Sequence, residues 1–325
     1  MNGKVAHGTA AGRYPMPFMV LLGLWFCAGI AVGLPILHEP GLTASVYATD
    51  QSLFGVNGLA FAGDLLYGSV CGSEIGSIVE VSSGGAVRLV ATGIGYPYHS
   101  IGGVDVNWEG NVLVCNETAY GGNEVWEVTP SGSVSLLRSG LSSPTDLRVD
   151  ADGTILVVER LGTIRGVSRI AGDGSWRTVV LRASDYGWTG VPTGIELDGQ
   201  GNIFVAYRDD GSIYVLPPIG SPYRFAQVPG TNSDMHLALG PDGSLFASND
   251  ERGEIYRIAQ TGDWSLFASG IDRPMGMAFA GNGDLCFAAQ RESTIYVVRE
   301  AAVPEPATLS LLALGGLGLL RRRKP

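Results

Sequence analysis

The sequence predicts an all-β fold: a six-bladed β-propeller closed by an N-terminal strand, with apolar helical segments at both chain ends. Three observations carry this expectation. A strand, a tight glycine turn and a returning strand, typified by residues 192–207 (PTGIELDGQGNIFVAY), recur six times. The turn glycines Gly63, Gly110, Gly153, Gly201, Gly243 and Gly283 are 47, 43, 48, 42 and 40 residues apart, a period that suits four short strands per unit. The last unit lacks a fourth strand, and a matching strand precedes the first.

In chain order, residues 1–17 are polar and mildly basic, with Lys4 and Arg13, and residues 18–37 are almost wholly apolar. This reads as a secretory leader with a long basic region, with small-x-small cleavage options ending at Ala31 or Gly33. About 20 apolar residues can also span a bilayer, so an uncleaved N-terminal membrane segment is the alternative for residues 1–37. Either way the body of the chain leaves the cytoplasm.

Residues 43–300 hold the propeller. The inner strands fall at 56–63, 101–110, 144–153, 192–201, 234–243 and 274–283. Each is followed by an apolar second strand (for example NVLVCN, TILVVE, NIFVAY), a polar loop, a third strand and, in five units, a fourth. Asp152-Gly153, Asp242-Gly243 and Asn282-Gly283 are expected to form two-residue hairpin turns, because glycine enters positive φ without strain. Residues 44–49 (ASVYAT) match the fourth-strand pattern, so the N-terminal strand should complete the sixth blade and leave no open edge. Leader cleavage must then fall before about Leu42.

Residues 303–325 (VPEPATLSLLALGGLGLLRRRKP) form a third part. Pro304, Glu305 and Pro306 precede an apolar run, 307–320, and then Arg321, Arg322, Arg323 and Lys324. As a helix the run is about 21 Å long, short for a hydrocarbon core of about 30 Å. The basic end would stay cytoplasmic during export, giving transient membrane association through the termini.

Composition narrows the function classes. Hydrophobic residues make up 45% of the chain and charged residues 16%, enough apolar content for a large core. The net charge is −10 with only 21 Lys and Arg, several of them in the terminal cluster, which excludes a nucleic-acid binder. Outside the leader, Cys71, Cys115 and Cys286 have no zinc-ligand spacing. They read as buried small hydrophobes, with a Cys71–Cys115 disulfide as the alternative.

The repeats resemble the NHL-repeat and gluconolactonase/regucalcin-like six-bladed propellers, most closely at 144–159, 192–207 and 274–289. The resemblance covers residues 43–300 and implies architecture more than activity. The tail is similar to a PEP-CTERM sorting signal. That resemblance implies a Gram-negative-type bacterium, an exosortase-type sorting protease as partner, and delivery to the cell surface or the exopolysaccharide matrix.

Candidate functional residues cluster where inner strands start and second strands end, which share one face. Asn57, His99, Asp146, Asp234 and His236 are expected near the axis. Glu117, Glu159, Arg160, Arg208, Asp209, Asn249, Asp250, Arg252 and Arg291 are expected further out. His99 and His236 open opposite blades, so they are the candidates for a catalytic or metal pair at one axial mouth, or else two satisfied loop histidines. The lactonase resemblance implies oxygen ligands for a divalent cation just before the inner-strand glycine. That column reads Asn57, Gly102, Thr145, Thr193, Met235 and Met275, so only Asn57 is a candidate ligand and the site is not reproduced. Asp146 and Asp234 lie one residue out of that column. A streptogramin-lyase-like arrangement would pair His236 with Glu159 or Glu117. Asp105, Arg148 and Glu196 share one inner-strand position and are expected to form an inter-blade charge network.

The expectation is therefore an exported binding or scaffold protein whose ligand is exopolysaccharide, a surface protein or a peptide. The alternative is an extracellular lactonase-like hydrolase or lyase at the axial mouth. No cofactor is implied beyond a divalent cation for the latter.

Overall fold

Each recurring unit folds back on itself because an apolar strand cannot leave its backbone amides unpaired. In the computed structural model, which describes residues 33–71, 76–95, 100–117, 123–230 and 232–301, the six units form six antiparallel sheets. The inner strands are Val56–Ala62, Ser100–Val106, Pro144–Val149, Pro192–Leu197, Leu237–Leu239 and Pro274–Phe279. Each packs on its neighbour in turn, and the sixth packs on the first, so the ring is closed. The apolar termini read as helical lie outside the described residues, except at the end of the leader.

Closure occurs as the sequence predicts. Leu42–Thr49 pairs antiparallel with Thr294–Glu300, with Ala44 opposite Val298 and Val46 opposite Tyr296. One boundary differs. Ile36 and Leu37, read as the end of the leader, form a short strand on the outer edge of blade five, opposite Ser269 and Ala268. Glu39 follows and ion-pairs with Arg257 of that blade at 2.7 Å. Cleavage ending at Ala31 or Gly33 leaves this strand intact, whereas a boundary at residue 37 removes it.

The turns also differ from the two-residue form. Asp150 N–H bonds to Thr154 O, and Gly153 N–H to Asp150 O. The loop is thus three residues long, with Gly153 left-handed at φ 81°. Asp152 takes the Thr154 N–H on its side chain and favours this longer form. A two-residue hairpin occurs in the first blade, where Ala62 faces Leu65 across Gly63-Asp64.

The core is six apolar layers, one between each pair of adjacent blades. Phe204, Val215 and Tyr256, for example, pack between blades four and five. Cys115 and Cys286 lie buried in two of these layers, and burial pushes the Cys286 thiol up to about 12. All three propeller cysteines are thiols, so the Cys71–Cys115 disulfide does not form. The Cys71 thiol instead donates to Ile101 O at 2.9 Å.

Near the axis the inner strands approach closely enough that side chains are excluded. A Cβ at Gly58 would lie 2.8 Å from Val104 N, and one at Gly276 2.5 Å from Asn57 O. Gly276→Ala is therefore expected to lower stability by about 1–3 kcal/mol through overpacking of the blade-six/blade-one seam. Urea unfolding checks this; an unchanged midpoint would show that the seam can open without loss.

Candidate functional site

The third position of the six inner-strand copies reads Gly58, Gly103, Asp146, Gly194, His236 and Gly276. Four glycines let the strands close on the axis, and the two large side chains share the space that remains. A Cβ on Gly103 would collide with Asp146, and one on Gly194 with the Met235 carbonyl and His236 Cα. Five of the inner strands carry a register break within their first residues, for example between Pro144 and Leu147, which twists this segment out of the regular ladder.

Asp146 and His236 come together across blade four. His236 Nδ1 is 3.8 Å from Asp146 Oδ2, and both side chains are buried. Asp146 is further held by Ile195 N–H at 3.2 Å and by Arg148 at 3.1 Å. Burial holds the imidazole pKa of His236 below its ordinary value, with the Asp146 and Asp234 carboxylates opposing that shift. The neutral ring is thus the form that the fold favours.

One turn deeper along the axis lies the expected charge network. Arg148 Nε donates to Glu196 at 3.2 Å, and another of its nitrogens reaches Leu237 O at 2.9 Å in blade five. Asp105 accepts from Val149 N–H at 2.8 Å and from its own neighbour Val106. The sequence pattern missed the part played by Asp146, which takes the second hydrogen-bonded carboxylate position at Arg148. Burial depresses the guanidinium pKa of Arg148, but Glu196, Asp146 and Asp105 outweigh that and raise it.

The other candidates divide between structure and rim. Asn57 donates to Ile101 O at 3.0 Å in blade two, and Thr193 donates to Met235 O at 3.2 Å in blade five. The column read for metal ligands therefore staples neighbouring blades, and Asn57 Oδ1 is left as one buried acceptor without a hydrogen bond. Such a column does not fit a cation, and among the described residues no three His, Cys, Asp or Glu side chains gather to hold one. Glu159 is buried inside blade three, bonded to Ser142 N–H, Ser168 and Arg177, and does not face His236 as a partner. Asn249 is likewise enclosed, bonded to Pro229 O, Ser233 and Arg252 N–H. Glu117 ends the second strand of blade two, and His99 lies outside the described residues, so the opposed-histidine arrangement is not described.

Around the mouth, over blades four to six, Arg208, Asp234, Asp250, Arg252 and Arg291 line a pocket of about 560 Å³, with Arg160 and Asp209 outside its lining. Asp234 faces Arg208 at 3.5 Å and Arg160 at 4.0 Å, and Arg291 faces Asp272 at 3.7 Å. Asp250 holds Arg273 at 2.6 Å and accepts the Asp234 N–H. Arg252 turns to Glu254, and Asp209 accepts the Val191 N–H. Arg273 and Asp272 were not singled out from the sequence. No sequence pattern marks Arg273; its left-handed backbone before Pro274, shared by Ser143 before Pro144, is seen only in the structure.

Comparisons with known proteins agree with this architecture. Residues 302–324 match the PEP-CTERM protein-sorting motif, the substrate signal of exosortase processing and the mark of an exported protein. A gluconolactonase of Zymomonas mobilis subsp. mobilis is 32% identical over 107 residues, which is 30% of this chain and 30% of that relative's length. A gluconolactonase structure from Xanthomonas campestris superposes with a TM-score of 0.65 at 16% identity, covering 82% of this chain and 94% of that one. Virginiamycin B lyase from Staphylococcus aureus, solved with quinupristin, superposes with a TM-score of 0.57 at 12% identity, covering 79% and 99%. The body is thus a six-bladed β-propeller similar in fold to lactonases and lyases, and the chain carries an export-sorting tail.

Burial raises the carboxyl pKa values of Asp105 and Glu196, and Arg148 works against both shifts. A carboxyl raised in the folded state adds stability below its unfolded pKa and loses it as pH rises through the folded one. Arg148→Met removes the opposing charge and leaves carboxylates unpaired. It is expected to destabilise the propeller by about 3–5 kcal/mol near pH ~7.5 and by less near pH ~5. Denaturant midpoints at the two pH values check this; equal losses at both would contradict it.

Proposed function

We propose that this chain is the precursor of an exported β-propeller, held at the cell surface or in the extracellular matrix, that binds a polar, charge-bearing ligand. The rim pocket carries this reading. It offers Arg208, Asn232, Asp234, Asp250, Arg273 and Arg291 around about 560 Å³, a size suited to a small ligand or a segment of a larger one. Because its arginines are matched by carboxylates, it suits a group bearing both charges, or a chain segment that exchanges one ion pair for another, better than a bare polyanion. A surface-protein segment or a charged stretch of exopolysaccharide fits that description. The sorting tail supports display, and exosortase processing is the step that would deliver the propeller there.

Retention of the purified full-length protein on native matrix material, compared with its Arg208→Ala and Arg273→Ala variants, tests this. Each variant is expected to weaken retention by about tenfold while leaving the far-ultraviolet spectrum unchanged. Undiminished retention in both would remove the rim from the binding surface.

A second reading, a hydrolase or lyase at the axial mouth, is favoured by the Asp146–His236 juxtaposition. A neutral imidazole beside a buried carboxylate is the chemical form that accepts a proton. Under this reading His236→Ala abolishes turnover across a panel of lactones and esters, whereas under the binding reading neither protein turns over. Activity that persists through the ordinary imidazole range and falls only at lower pH would identify the buried, pKa-depressed His236 as the base.

A further inference from the structure

The face opposite the rim pocket has a feature that neither reading uses. Trp108 is 83% exposed, the most exposed aromatic among the described residues, and it sits at the tip of an inner-strand turn. The equivalent turn positions in blades three to six are Ala151, Gly199, Pro241 and Gly281, so the turn itself does not require a large ring. Trp176, 45% exposed, begins the outer strand of blade three; that position is aromatic in blades four and five as well (Tyr223, Trp264) and valine in blades one and two, so Trp108 is the ring that sets this seam apart. The two indoles line one groove of about 610 Å³ between blades two and three. Leaving two tryptophans in water forgoes their apolar burial, and a rim of exposed aromatics is a mark of an interaction site.

The floor of the groove is polar and held in place. Glu127 accepts from Asn107 at 3.2 Å and from Asn111 at 2.8 Å, and Asn111 also reaches Glu109 at 3.3 Å. On the far wall Asp152 meets Arg169 at 3.3 Å and binds the Thr154 hydroxyl at 2.6 Å. Amides and carboxylates fixed beside flat rings are the chemistry that recognises a pyranose. The ring's C–H face meets the electron-rich indole face, and its hydroxyls meet the acceptors below. Because Glu109, Glu127, Asp152 and Asp173 all border the groove, an anionic sugar would be repelled. The volume lies within the roughly 300–1,000 Å³ of small-ligand sites, enough for a few sugar rings.

The geometry points to a second binding site at the blade-two/blade-three seam, one that takes a neutral or amino-sugar segment of a polysaccharide between Trp108 and Trp176. It depends on the export reading for access to such a polymer, but not on the rim pocket. The arrangement is independent of the axis, so occupancy of one site leaves the other accessible.

Tryptophan emission of the full-length protein, titrated with cellohexaose, chitohexaose and an oligogalacturonate hexamer, tests the proposal. Cellohexaose or chitohexaose is expected to change the emission saturably, and oligogalacturonate is not. Binding measured calorimetrically should weaken by about tenfold or more in Trp108→Ala and in Trp176→Ala, and be largely restored in Trp108→Tyr. Arg208→Ala should leave it unchanged, which separates this site from the rim reading. The exposed positions of both rings make loss of fold an inadequate explanation, and unchanged thermal midpoints would establish that. No response to either neutral or amino-sugar probe, a preference for oligogalacturonate, or affinity that survives both alanine variants would overturn the proposal.

Discussion

The pairing of Leu42–Thr49 with Thr294–Glu300 is the interaction on which the rest of the molecule depends. Every apolar layer lies between two blades, and without the N-terminal strand the sixth blade would end on an unpaired edge over its own core. Closing the ring also sets the radius of the axis. Once six inner strands must meet there, the third position of each is forced to glycine unless its side chain has a purpose. The space given up at Gly103 and Gly194 is what admits Asp146 and His236, while Gly58 and Gly276 let neighbouring backbones close on one another.

Those side chains make the axis electrostatically demanding. One arginine, Arg148, faces Asp146, Glu196 and Asp105, and an imidazole completes the group. Buried charges of this kind stabilise little by themselves, but breaking one pairing is costly because its partners remain. The titrations pull in opposite directions. The raised carboxyls of Asp105 and Glu196 favour the fold at low pH. The depressed imidazole favours it above the ordinary histidine value and withdraws that support as pH falls. As pH falls, the carboxyls add support while the imidazole withdraws it, so the axis offsets part of its own pH dependence.

Much of this was legible in the sequence, for a reason visible in the repeats. Six aligned copies reveal any position that departs from the pattern, so blade number, closure by residues 44–49 and the Arg148–Glu196 contact all follow from column comparison. Side-chain direction does not. Asn57 and Thr193 occupy the column of expected ligands, yet both turn sideways into the next blade, because an inner-strand carbonyl there needs a donor. Glu159 and Asn249 end their strands at the mouth, yet fold inward to bonds within their own blades. Ile36 and Leu37 look like leader by composition, since an edge strand and a leader are both apolar. A strand period distinguishes faces only over several residues, and two are too few.

The two faces of the ring present different chemistry, and that difference bears on how an exported propeller can work. The rim over blades four to six is a lattice of ion pairs, adaptable and responsive to salt, suited to partners that bring charges of their own. The opposite seam between blades two and three is aromatic and acidic, and would discriminate by ring shape while excluding anions. A scaffold needs only one such surface to be retained. Two surfaces of unlike selectivity, on opposite ends of a rigid ring, would let one molecule hold two materials at a fixed separation. Linked sites of that kind gain retention from effective concentration even where each contact is weak. The stiffness that closure imposes on the blades would then be what keeps the two sites at their fixed separation.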